Sequence, residues 1–188
     1  MATLSRRALL GTAFGTVIGG AAIAPLPLFA ARKEWIPQKP SARVIVDNDF
    51  AGDPDGLVAL AHQLLTPKTV VPLVTVSPLN PKFSTLDGQS GDSSAAGADL
   101  IAEMLRHMGC KAAPRIVAGQ GTIGAGLPNA AAEAIVAEAM RDDPMPLFLT
   151  CGGPLTNVAA ALRLEPRIAQ RMTLIWIGGG AYPAGGWE

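Results

Sequence analysis

The sequence has little cysteine, little histidine and few charges, and each shortage removes a class of protein. Only two cysteines occur among 188 residues, Cys110 and Cys151. Two thiols make no disulfide framework, and no CxxC or Cys/His grouping offers zinc its ligands. They read as two buried small hydrophobes. The only histidines, His62 and His107, fall in helix-patterned stretches away from strand ends and read as structural. Charged residues make up 16%, with 15 Lys+Arg against 15 Asp+Glu and a formal net charge of zero. A chain with no basic excess shows no electrostatic footprint for nucleic acid. What is abundant is apolar: 49% of the residues are hydrophobic, which excludes a disordered chain and calls for one domain with a sizeable core.

The first apolar run belongs to a leader rather than to the fold. Arg6 and Arg7 follow Ser5, and residues 8–24 are apolar and rich in Gly and Ala. At about 17 residues this run is at the short edge of a membrane span. Residues 1–31 have the shape of a twin-arginine export signal, with cleavage expected near Ala30 or Ala31. The expectation is export of the folded chain by the twin-arginine machinery to a periplasmic or extracytoplasmic location. The alternative is an uncleaved N-terminal membrane anchor. Residues 32–42 are polar and Pro-containing and read as a linker, so the domain is expected over 43–188.

Beyond the linker, strand and helix patterns alternate. Strands are predicted at 42–47, 69–77, 114–119, 145–154 and 172–180, with Trp176 in the core. Pro72 weakens the second of these. Helices are predicted at 54–65, 93–109, 130–142 and 155–166, the second ended by Gly109 and the last by Pro166. Helices of ten to fifteen residues between strands imply βαβ crossovers, and near-continuous apolar strands imply a sheet covered on both faces. The fold class is therefore α/β, an open and mostly parallel sheet with helices on both faces, Rossmann-like in its core. The Gly-rich "GQGTIGAG" at 119–126 does not follow a first strand, so it is no dinucleotide fingerprint. In such sheets ligands bind at the carboxyl ends of the strands, and the unusual stretches fall there.

The most unusual stretch is "VIVDNDFAGDPDGLVAL", residues 44–60, with Asp47, Asp49, Asp53 and Asp55 in nine positions. At an effective dielectric near 20, two like charges about 4 Å apart cost on the order of 4 kcal/mol. A helix N-terminus offsets roughly 0.3–1 kcal/mol per charge. One acid, Asp53, can cap the helix, with Pro54 at its first position. That leaves most of the repulsion standing. A divalent cation removes it, and oxygen ligands without His or Cys point to Ca²⁺ or Mg²⁺.

Three ordered blocks resemble the inosine–uridine-preferring nucleoside hydrolases: the D-x-D…D-D pattern after the first strand, "LTCGGPLTNVAAALRLEP" at 149–166, and "IWIGGGAYPAGGWE" at 175–188. The resemblance implies a nucleoside-hydrolase-like fold and Ca²⁺-dependent cleavage of the N-glycosidic bond of a ribonucleoside, a reaction of purine and pyrimidine salvage. It places Asp49 as calcium ligand and general base, Asp53 and Asp55 as further ligands, and Gly152 as the donor of a carbonyl to the metal. It places Asp47, Asn80 and Glu188 on the substrate, a nucleoside or another ribosyl compound. Tyr182 and Trp187 fall on the same rim as aromatic candidates for the base. Family members form dimers and tetramers, so a homo-oligomer is an expectation.

Two departures stand against the pattern. "GDPDG" replaces the adjacent aspartates, so that Gly56 stands where the second belongs, or Asp53 and Asp55 divide its duties. The resemblance also ends within the ribose-binding segment, so the domain reads as incomplete at its C-terminus. An inactive truncated relative or a sugar-binding fragment is therefore kept as the alternative function. "DND" after the first strand also resembles the D-x-D of Mg²⁺-dependent haloacid-dehalogenase-type phosphatases, although "GPLTN" has no place in that family.

Overall fold

The computed structural model describes residues 39–52, 54–79, 92–123 and 127–178. The leader, Asp53, the stretch 80–91 with Asn80, and residues 179–188 with Tyr182, Trp187 and Glu188 lie outside the described residues.

Among the described residues five strands and four α-helices alternate along the chain. They are β1 (Ala42–Asn48), α1 (Pro54–Leu65), β2 (Thr69–Val76), α2 (Ser93–His107), β3 (Arg115–Ala118), α3 (Ala130–Ala139), β4 (Leu147–Cys151), α4 (Thr156–Leu164) and β5 (Met172–Trp176). A short 3-10 helix at Pro166–Gln170 follows α4. The sheet order is β3-β2-β1-β4-β5, and every pairing is parallel. The order reverses at β1, so β1 and β4 diverge into helices on opposite faces, the arrangement that opens a crevice at their carboxyl ends.

Alternation along β1 builds the two faces. Val44 and Val46 pack with Leu60 of α1 and Ile101 and Leu105 of α2, while Ile45 packs with Ile135 of α3 and Val158 and Ala161 of α4. The sheet is buried on both sides, which is why residues 44–46 of β1, 70–74 of β2 and 147–149 of β4 are apolar runs. Pro72 is accommodated by a bulge, in which Val44 faces both Val71 and Pro72 while Arg43 pairs with Val70 and Ile45 with Leu73.

Local signals fix the element ends. Asp92 accepts from the backbone N–H of Ser94 and Ala95 at the start of α2, and Asn129 accepts from Ala132 at the start of α3. Gly109, at φ 61°, ends α2, with Gly109 N–H donating to Arg106 O and Cys110 N–H to Leu105 O, a Schellman motif.

Trp176 departs from expectation. It is 43% exposed, and its neighbours Ile175 and Ile177 are 53% and 76% exposed. Among the described residues β5 pairs on one side only, with β4, so period-two alternation buries neither of its faces fully. The Trp176 indole N–H donates to Gly153 O at 3.1 Å.

Candidate active site

The carboxyl ends of β1 and β4 meet at the switch point, and the first acid there points inward. Asp47 is 0% exposed. Alternation sends its side chain to the α4 face, where four side chains donate to it. Ser77 Oγ (2.5 Å) and Cys151 Sγ (3.6 Å) approach Oδ1, and Thr75 Oγ1 (2.6 Å) and Asn157 Nδ2 (2.9 Å) approach Oδ2. Asn157 Nδ2 also reaches Val76 O at 3.0 Å. Its own Oδ1 is buried without a hydrogen-bond partner among the described residues. Burial raises the Asp47 carboxyl above the ordinary carboxylate range, against the lowering effect of its hydrogen bonds. The resemblance sets Asp47 on the substrate; in the structure it is a knot tying β1 to β2, β4 and α4, because the strand's alternation faces it into the interior. It is not one of a crowd of solvated acids.

Cys151 is buried as expected, but it is more than a small hydrophobe. Its thiol touches Asp47 and the Gly153 carbonyl at 3.3 Å. Burial first, and the neighbouring Asp47 charge second, push the thiol far above its ordinary range. It therefore offers no thiolate to a soft metal. Cys110 is half-buried, and both cysteines are free.

Asp49 lies one strand period beyond Asp47 and is only half-buried. Its N–H donates to Asn48 Oδ1 at 2.9 Å. The main chain around it is fixed by Ser77 N–H to Asn48 O and Gly152 N–H to Asp47 O, both 3.0 Å. The turn after β4 comes so close that a Cβ on Gly153 would lie 2.9 Å from Asp49 N and 3.2 Å from Asp49 Oδ1. Only glycine allows that approach. Gly152 and Asp49 are thus brought to one place by β4 and β1. Asp55 is exposed on the first turn of α1. His62 and His107 are exposed on their helices, and His107 pairs with Glu103.

Among the described residues no three His, Cys, Asp or Glu side chains converge as a metal site. The available donors at this edge are oxygens, from Asp49, Asp55 and the peptide carbonyls, with neither imidazole nor thiolate. That chemistry suits a hard divalent cation. Sequence reasoning passed over Asn48, Thr75, Ser77 and Asn157. The signal for the second and third was two hydroxyls at alternate positions closing an apolar strand.

An open parallel sheet with acids and glycines at its switch point defines an α/β protein with a ligand crevice at the strand ends. A family model described as inosine–uridine preferring nucleoside hydrolase matches residues 44–187, and the chain belongs to that family. Among curated proteins it is 37% identical, over 59 residues, to the pyrimidine-specific ribonucleoside hydrolase RihA of Salmonella arizonae, covering 31% of this chain and 19% of that one. Two solved structures share the fold. An inosine-guanosine nucleoside hydrolase superposes with a TM-score of 0.56 at 22% identity over 75% of this chain and 50% of its own. The inosine-uridine preferring nucleoside hydrolase from Bacillus anthracis gives 0.54 at 20% identity over 76% and 52%. The chain thus spans about half the length of these solved relatives.

Proposed function

We propose that this chain carries the catalytic edge of a nucleoside hydrolase, cleaving the N-glycosidic bond of a ribonucleoside with a Ca²⁺ ion held at the end of β1. The observation that carries the reading is the placement of Asp49. It stands at the switch point, half-exposed, on a main chain pinned by Asn48 and the turn after β4. Family membership over 44–187 supplies the reaction class.

Asp49, Asp53, Asp55 and the Gly152 carbonyl would hold the cation. Bound there, a hard divalent cation supplies a lowered water pKa and a grip on hydroxyl oxygens. Asp49 takes the proton of the attacking water at a carboxylate oxygen. The water oxygen bonds to the anomeric carbon as the bond to the base nitrogen breaks. The base leaves with the bonding electrons and takes a proton from solvent while Asp49 returns its proton to solvent, giving ribose and free base. The transition state is oxocarbenium-like, and carboxylates at the rim favour its positive charge. Asp47 contributes by holding the three strand ends in register, while Asn80 and Glu188 serve the ribose. Export through the twin-arginine machinery to an extracytoplasmic location, and homo-oligomerisation, belong to the same proposal and rest on the sequence alone.

The test is calcium calorimetry on the mature chain, joined to an assay of ribose release from inosine and uridine, with Asp49→Ala as control. Calcium binding and ribose release, both lost in Asp49→Ala, are expected. A folded chain that releases no ribose and binds calcium equally well with and without Asp49 would refute the assignment. Calcium binding without turnover favours the second reading, a binding chain.

A further inference from the structure

The side chain of Asn48 is enclosed by two stretches of backbone that carry no side chain of their own. A Cβ on Gly56, in the first turn of α1, would lie 2.6 Å from Asn48 Nδ2 and 2.9 Å from Cγ. A Cβ on Gly152, just past β4, would lie 2.5 Å and 2.9 Å from the same two atoms. Atoms do not approach so closely, so the carboxamide already fills the space that either side chain would need. Asn48 is 7% exposed, and its Oδ1 accepts the Asp49 N–H. Phe50 adds a wall, 3.4 Å from the same Gly56 Cβ position. The residue therefore has little freedom to turn aside.

We propose that Asn48 is a positioning residue of the site, whose carboxamide replaces a side chain at position 56 and fixes the main chain of Asp49. In the register set by α1, the resembled motif carries an acid where Gly56 stands. Here an amide from β1 takes that volume, and one carboxylate is removed from the edge. The second consequence rests on the calcium reading: a cation held there meets one negative charge fewer and is held less tightly. The steric statement does not depend on that reading.

The experiment is a double-mutant cycle on the full chain with Asn48→Ala, Gly56→Asp and the pair together. Thermal unfolding is read without calcium, and calcium affinity by calorimetry with the metal alone. Gly56→Asp by itself is expected to lower Tm by roughly 5 °C or to prevent folding, since overpacking a filled site is destabilising. Adding Asn48→Ala is expected to recover at least half of that loss and to give calcium affinity at least about tenfold tighter than wild type. A Gly56→Asp chain as stable as wild type would overturn the inference. So would a double variant no more stable than Gly56→Asp, or one that regains stability while binding calcium no tighter than a wild type that binds it. Intact thermal coupling with no calcium binding by any of the four would uphold the placement of Asn48 and refute the calcium reading instead.

Discussion

Replacing Asp47 separates the worth of its shape from the worth of its charge. In Asp47→Asn the new amide nitrogen must take the place of one carboxylate oxygen. At the Oδ2 position it would face Asn157 Nδ2, now 2.9 Å away, donor against donor. At the Oδ1 position it faces Ser77 Oγ, which turns and accepts, and the weakly polar Cys151 thiol. The amide therefore settles toward Ser77, keeping the bonds from Thr75 and Asn157. Those two bonds fall from charge-assisted to neutral, a loss of roughly 1 kcal/mol each. Against this, an ionised carboxylate at 0% exposure has a desolvation penalty of several kcal/mol. Burial already outweighs the four donors in setting its pKa, so relief of that penalty offsets much of the lost bonding. The expected cost of Asp47→Asn is within about 2 kcal/mol. Asp47→Ala has no such relief in bonding, because it opens a cavity and withdraws the shared acceptor of four donors. Its cost is expected at about 3–5 kcal/mol, a Tm drop on the order of 10 °C for a domain of this size. Urea unfolding with thermal scans of both variants is the assay. Equal destabilisation of Asn and Ala by 3 kcal/mol or more would refute the reasoning, since the charge itself would then hold the knot together.

Three further outcomes are expected. Arg43 is 3% exposed at the opposite end of β1, bonded to Glu138 Oε1 and to the carbonyls of Glu138 and Met145, and 3.6 Å from Asp143. Arg43→Ala leaves the 11%-exposed Glu138 with the partly exposed Arg141, 3.2 Å away, as its ion-pair partner and empties the Arg43 site, so it should cost about 2–3 kcal/mol in urea unfolding, whereas Arg43→Met, which keeps the packing, should cost less. Gly153→Ala pushes a methyl against the Asp49 main chain and carboxylate, so ribose release should fall at least about tenfold and Tm by roughly 3–10 °C, the effect of an overpacking cost of about 1–3 kcal/mol. Glu165 is held at about 2 by its hydrogen bonds from Arg167, below its ordinary 4.5. A lowered carboxyl pKa adds stability above pH 4.5 that is lost as pH falls through about 2. The Tm of Glu165→Gln should accordingly lie slightly below wild type at pH 7 and converge with it near pH 2, a scan of Tm against pH being the check.

Much of the fold is legible along the chain because its determinants are local. Helix 54–65 is read to the residue from apolar spacing and Pro54, and the end of α2 from one glycine. The site is legible only in part. Asp49 and Gly152 announce themselves as an acid and a glycine at strand ends, and the structure brings them together through β1–β4 pairing. The partners of Asp47 do not announce themselves, since Asn157 stands 110 residues away and no local pattern connects the two.

The sequence by itself determined the alternation of elements, the two-faced burial of the sheet and the family, because period, turn chemistry and motif order are properties of neighbouring residues. Tertiary structure alone decided that Asp47 is buried and Asp49 half-exposed, since Asp47 stands inside β1 facing the packed helices while Asp49 lies past the strand's end. It also decided that Trp176 is exposed, because burial of a strand depends on what lies beside it. The same holds for the enclosure of Asn48 by Gly56 and Gly152, a contact made only when the start of α1 and the end of β4 converge on the end of β1.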